Sequence, residues 1–269
     1  MRLPNLIIVG TGRAGTTATL TVLDRHPDIW MYFKDKISKW SDGEVKNISE
    51  IDFFSANYNK GTGWYAQHFD APGVDYNNYK YIGEKSPSYV SHENDCAGRI
   101  KKELGDDVKI IYCVRDPAER AFSQWAHLQD KPYGKYWDNY RGGVSFSEAI
   151  RIKDKPHVPQ GNLLLQYSDY AEQYSKLLKV FRKDQIYVIV NEETKLRPVL
   201  GYDKLYSWLE VNPHDVTEGK NIMPLVNISH YSKYGYLRDE DREKINSDLK
   251  ESKDKFYSLL GREIKLWEV

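Results

Sequence analysis

Apolar residues in this chain follow two different spacings. Three short runs are continuous and rich in β-branched side chains: 6–9 (Leu-Ile-Ile-Val), 109–114 (Lys-Ile-Ile-Tyr-Cys-Val) and 185–190 (Gln-Ile-Tyr-Val-Ile-Val). Runs without alternation suit strands buried on both faces of a parallel sheet. Between them, apolar residues return every three or four positions. Ala18, Leu20, Val22 and Leu23 mark a helix over 16–25, which His26-Pro27 stops, and helices over 95–104 and 117–128 follow. Ala171, Tyr174, Leu178 and Phe181 mark 168–182, and residues 238–260 read as one long charged amphipathic helix ending at Gly261. This alternation predicts an α/β fold in which helices flank a central parallel sheet, as a single domain over 1–269. The least regular stretches, 34–78, 130–160 and 211–236, are long enough to expect function there.

Composition narrows the function. The 269 residues suffice for one large core. The 39 Lys+Arg balance 39 Asp+Glu, whereas a general nucleic-acid binder carries a basic excess. No apolar run approaches the ~20 residues of a membrane span, and no charged-then-apolar leader opens the chain. Cys96 and Cys113 form neither a disulfide framework nor a zinc pattern. The expectation is a cytoplasmic protein without a membrane span, a nucleic-acid partner or a metal; these patterns do not encode its oligomeric state.

The first chemical signal is residues 5–17, Asn-Leu-Ile-Ile-Val-Gly-Thr-Gly-Arg-Ala-Gly-Thr-Thr. A strand enters a Gly-rich turn and opens a helix, so backbone amides and the positive helix end converge on one point. Gly10-x-Gly12-x-x-Gly15 matches the dinucleotide fingerprint, with Asp35 twenty residues further on, which would make an oxidoreductase. The hydroxyls of Thr16 and Thr17 at the helix start fit phosphate binding better. Gly10-x4-Gly15 also outlines a Walker A loop, but position 16 is Thr where that loop needs Lys, which disfavours a Mg-ATP kinase.

A second segment, 109–125, reads Lys-Ile-Ile-Tyr-Cys-Val-Arg-Asp-Pro-Ala-Glu-Arg-Ala-Phe-Ser-Gln-Trp. Asp116, Pro117 and Glu119 form a helix-start pattern, and Arg115 stands at the carboxyl end of the strand, where α/β sheets bind ligands. Arg120 and Ser123 are three apart on one helix face, and an Arg fork beside a hydroxyl suits a phosphate dianion.

Taken together, these segments resemble the PAPS-dependent sulfotransferases of the heparan-sulfate type and their bacterial relatives (PAPS is 3′-phosphoadenosine 5′-phosphosulfate). The resemblance rests on Gly12-Arg13-Ala14-Gly15-Thr16-Thr17, on His26-Pro27-Asp28-Ile29 and on the Arg115-x7-Ser123 spacing. It extends to Glu50-Ile51-Asp52-Phe53-Phe54 with Lys60-Gly61-x-x-Trp64-Tyr65, to Glu84-Lys85-Ser86-Pro87-Ser88-Tyr89, and to the ending Phe256-Tyr257-x-Leu259-Leu260-Gly261-Arg262-Glu263 with Trp267.

The resemblance implies transfer of a sulfuryl group from PAPS to a hydroxyl, less readily an amine, of a carbohydrate or small molecule, releasing PAP (adenosine 3′,5′-bisphosphate) without a metal. It implies that Gly12, Arg13, Ala14, Gly15, Thr16, Thr17 and Ala18 hold the 5′-phosphosulfate, and that Arg115 and Ser123 hold the 3′-phosphate. Glu50 matches the family's general base, with Glu84 the competing carboxylate. Arg13 stands where heparan-type enzymes carry a catalytic Lys; a guanidinium neutralises and orients but donates no proton, so Lys85 or Lys233 is the alternative proton donor. The family's nucleotide-closing loop is replaced here by a stretch in which Lys220, Asn227, Ser229 and Lys233 are the candidates. The Tyr/Trp stretch 133–140 either stacks on an acceptor or packs its own loop. The competing class is a nucleotide-binding module: the oxidoreductase above, or a non-catalytic PAP binder.

Overall fold

The computed structural model of the chain describes residues 2–32, 50–90, 95–130, 135–153, 161–214 and 231–268. In chain order its elements are β1 (Leu6–Gly10), α1 (Thr16–Asp24), β2 (Ile29–Met31), α2 (Gly61–Ala66), β3 (Tyr81–Lys85), α3 (Cys96–Leu104) and β4 (Lys109–Val114). These are followed by α4 (Pro117–Asp130), α5 (Phe146–Ala149), α6 (Leu163–Gln166), α7 (Tyr170–Val180), β5 (Ile186–Val190), α8 (Asn191–Leu196), α9 (Pro198–Leu209), α10 (Tyr231–Tyr234), α11 (Asp239–Asp248) and α12 (Lys250–Leu260). The chain divides into two compact units, Met1–Val114 with Lys176–Val226 and Arg115–Ser175 with Asn227–Val269.

The first unit holds the sheet. Its five strands run in the order β2-β3-β1-β4-β5, every pair parallel. β1 lies at the centre with all five residues buried, as its unbroken apolar run predicts. Leu6, Ile8, Met31, Ile111, Cys113 and Ile189 cover one sheet face with Leu20 and Leu23 of α1 and Leu205 and Leu209 of α9. Between β1 and β4 the winding order reverses, which in open α/β sheets is where ligands bind.

Two of the five strands escape the sequence pattern. β2 is three residues long, directly after the Pro27 stop. β3, Tyr-Ile-Gly-Glu-Lys, carries a glycine and two charges yet is buried throughout. Gly83 is required by close approach: a Cβ there would lie 2.7 Å from the Leu6 carbonyl oxygen and from Met31 Sδ. The charges of Glu84 and Lys85 are met by partners that no local pattern displays.

The second unit is helical. Phe122, Trp125 and Leu128 of α4 pack with Phe146, Leu163–Leu165, Ile245 and Leu249. The long helix expected over 238–260 is two helices, α11 and α12, parted at Leu249 (φ −104°, ψ 9°). Ile245, Leu249 and Phe256 fall on one stripe across the break, so periodicity does not reveal it. The bend lets Ile245 and Leu249 enter the α4 core while Phe256 meets Tyr170, Tyr174 and Trp267. Of the 133–140 stretch, residues 133 and 134 lie outside the described residues; Tyr140 is fully buried and Trp137 packs against Tyr140 and Tyr167.

Candidate active site

The Gly-rich turn forms as the sequence predicts. Gly15 caps α1 in the left-handed conformation (φ 88°, ψ 14°). A Cβ at Gly15 would be strained in φ and would lie 2.6 Å from Asn191 Nδ2. Gly10 (φ 141°) is required as well: its Cβ would stand 2.5 Å from Val90 Cγ2 and 2.9 Å from the Pro87 carbonyl oxygen. Arg13 also has a positive φ, 71°, a placement that costs a non-glycine residue ~1–3 kcal/mol and concentrates at ligand clamps. Ala14 and Thr16 are buried, whereas Gly12, Arg13, Thr17 and Ala18 remain partly accessible.

This turn fits an anion. The N-cap of α1 is a glycine, which has no side chain to cap it, and no acidic residue occupies the first turn, so the helix's own side chains do not compensate its positive end. Asn191, beside Gly15 at the carboxyl end of β5, is buried, and its Oδ1 has no hydrogen-bond partner among the described residues. Sequence reasoning missed Asn191; the only signal was its position directly after the third apolar run.

At the carboxyl end of β3, in the same unit, Lys85 and Glu50 meet: Lys85 Nζ lies 2.6 Å from Glu50 Oε1. The lysine side chain is only 4% exposed, the glutamate 38%. The fold therefore brings together two candidates 35 residues apart and leaves Glu50 open to solvent at one side. Glu84 has a different setting. It is 0% exposed and accepts hydrogen bonds from Tyr65 (3.0 Å), Tyr89 (2.7 Å) and Ser86 (2.8 Å). Burial pushes its carboxyl up to about 7 despite those three hydroxyls.

Ser86 ties the two carboxylate regions together. Its hydroxyl donates to Glu84 Oε2 and accepts the Asp52 amide at 3.0 Å. Asp52, two residues after Glu50, has φ 51° and accepts from Ser88 at 2.6 Å. Burial raises the Asp52 carboxyl and the Ser88 hydroxyl opposes that rise.

The second unit carries the other predicted cluster. Arg115 follows β4 in the chain, its carbonyl accepts from Tyr170 at 2.6 Å, and its guanidinium donates to Glu119 at 3.1 Å. Asp116 accepts the Glu119 amide at 2.8 Å, as a helix-start residue should. Ser123 is buried. Arg120, paired with Ser123 by spacing, turns inward instead: it is 0% exposed and donates to Ser168 Oγ (2.6 Å) and the Leu164 carbonyl (2.5 Å), joining α4 to α6. Lys233 is exposed and pairs with Asp130 at 3.0 Å. Lys220, Asn227 and Ser229 lie outside the described residues.

Among the described residues, no group of His, Cys, Asp or Glu side chains is placed to hold a metal ion. No described helix is long and apolar enough to cross a membrane.

A family model, the sulfotransferase domain, matches residues 3–258. A membrane-associated sulfotransferase, kil1, of Dictyostelium discoideum is 25% identical over 99% of this chain and 67% of its own length. The mouse bifunctional heparan sulfate N-deacetylase/N-sulfotransferase 3 is 28% identical over 79% of this chain, which spans only 23% of that enzyme. Among solved structures, a sulfotransferase of Alicyclobacillus acidocaldarius matches at TM-score 0.71, 23% identity and full coverage of both chains. Mouse sulfotransferase SULT7A1, complexed with PAP, matches at TM-score 0.51 and 14% identity over 94% of this chain and 86% of its own. These structural likenesses concern the fold.

Proposed function

The chain belongs to the sulfotransferase-domain family, and on that premise we propose that it moves a sulfuryl group from PAPS to a hydroxyl of a carbohydrate or small molecule, releasing PAP. The observation that carries the reading is the pairing, within one unit, of a half-open Glu50 with the buried Lys85. The same unit holds an α1 N-terminus whose N-cap, Gly15, has no side chain to cap it.

Sulfuryl transfer asks for in-line attack, a base for the nucleophile and cations for the leaving phosphate. The acceptor oxygen attacks sulfur, the bond from sulfur to the 5′-phosphate oxygen breaks, and its electron pair stays on that oxygen. Glu50 takes the acceptor proton. Lys85 orients Glu50 through Oε1 and stands ready as proton donor, and Arg13 with the amides of 12–18 neutralises the phosphate. Glu84, buried and saturated by three hydroxyls, serves in this scheme as a positioning residue acting through Ser86. In the second unit, Arg115 and Ser123 take the 3′-phosphate. An exposed Lys233 already paired with Asp130 is the weaker proton-donor candidate, and a role in holding the nucleotide is left to it and to Lys220. A cytoplasmic setting belongs to the same proposal, and the buried free thiols of Cys96 and Cys113 are compatible with it.

A ligand screen followed by an activity assay tests the reading. PAP raises the melting temperature by linkage, while NADH and Mg-ATP do not, and labelled sulfate passes from PAPS to at least one member of a glycan and alcohol panel. Stabilisation by NADH without PAP would sink the assignment in favour of an oxidoreductase. Binding of PAP without transfer to any hydroxyl or amine would favour a non-catalytic binder.

A further inference from the structure

Arg242 is a residue that no motif singles out. It lies on α11, and in the second unit it closes a chain of four charges. Its Nη2 donates to Glu119 Oε1 at 2.7 Å and its Nη1 to Asp116 Oδ1 at 3.0 Å. The other oxygen of Glu119, Oε2, accepts from Arg115 Nη2 at 3.1 Å. Glu119 thus has one oxygen on each arginine, while Asp116 is held by both Arg242 and the Glu119 amide.

Two physical consequences follow. A carboxylate gripped at both oxygens is restrained from rotating, and a guanidinium is a rigid plane whose direction is set by the partner on one edge. Arg242 therefore constrains the aim of Arg115 without touching it. The charges matter too. The charges of Arg115 and Arg242 cancel those of Asp116 and Glu119. Without Arg242 a net negative charge would stand beside Arg115 and oppose an incoming phosphate dianion. These residues are only partly exposed, so solvent screens that repulsion incompletely.

We propose that Arg242 is a positioning residue for recognition of the 3′-phosphate of the nucleotide, acting on Arg115 through Glu119. The proposal rests on the reading above that Arg115 takes that phosphate.

Titration of PAP and of adenosine 5′-phosphate, which lacks the 3′-phosphate, isolates the effect. In R242Q, PAP affinity falls about tenfold while adenosine 5′-phosphate affinity stays within about twofold. In R242K, which keeps the charge but has no fork to span two carboxylates, PAP affinity recovers in part. Both variants are compared with R115A. If R115A loses the preference for PAP and R242Q keeps it, the positioning role is wrong and the Arg115 reading survives. If R242Q and R242K weaken both nucleotides equally with a lowered melting temperature, Arg242 is merely structural and the proposal falls. If the wild-type protein itself shows no preference for PAP, the reading of the 3′-phosphate site fails and takes this inference with it.

Discussion

At Glu50 and Glu84 the same functional group receives two opposite environments. Glu50 is half open and ion-paired with Lys85; Glu84 is sealed among Tyr65, Ser86 and Tyr89. Two predictions belong here. Glu50→Gln lowers kcat by ~10²–10⁴, the contribution of a general base, and leaves PAP affinity unchanged. Steady-state kinetics beside a PAP titration check this, and a variant that kept most of its turnover would remove Glu50 from the chemistry. The second concerns pH. The Glu84 carboxyl is pushed from its ordinary value near 4.5 up to about 7, chiefly by desolvation. Between those values the folded protein holds a proton that the unfolded chain has released, so this stabilisation is complete below about 4.5 and is lost as pH rises through about 7. The loss amounts to about 3 kcal/mol. Urea unfolding between pH 5 and 8 should show it in the wild type and show a flatter profile in Glu84→Gln. An equal slope in both would mean that another group titrates.

On the scale of elements, the decisive unit is the β1–turn–α1 segment. Gly15→Ala forces a side chain into the left-handed region, at ~1–2 kcal/mol, and drives its Cβ toward Asn191 Nδ2 at 2.6 Å. The expected result is a lower melting temperature and loss of PAP-induced stabilisation; unchanged PAP binding would show that the turn does not cradle the nucleotide. This segment was legible in the sequence because everything that makes it is local: an apolar run, then Gly10, Gly12 and Gly15, then Thr16 and Thr17 at the helix start. α3 and α4 were legible for the same reason. β3 was not, because Gly83, Glu84 and Lys85 contradict strand patterning unless Leu6, Met31, Tyr65 and Glu50 are already in place. The break at Leu249 was hidden because one apolar stripe runs through it.

On the scale of the whole molecule, 39 basic residues balance 39 acidic ones. A neutral protein holds a compact anionic nucleotide with a few placed cations, but it lacks the excess that recruits a long polyanion. A heavily sulfated polymer should therefore inhibit transfer only weakly, and adding salt should change the KM of a neutral acceptor by less than about twofold. Strong, salt-sensitive inhibition by heparin would show a concentrated basic face that the net charge conceals. Short-range spacing and side-chain chemistry suffice for the α/β class, the family, the Gly-rich turn and the identity of the candidate acids and cations. Their surroundings follow only from the fold. It set Lys85 against Glu50, enclosed Glu84, turned Arg120 into the core, and put Arg242 on Glu119, 123 residues away. The physical reason is that burial and charge pairing are properties of neighbours in space, and a carboxylate's chemistry depends on what surrounds it more than on the letter that encodes it.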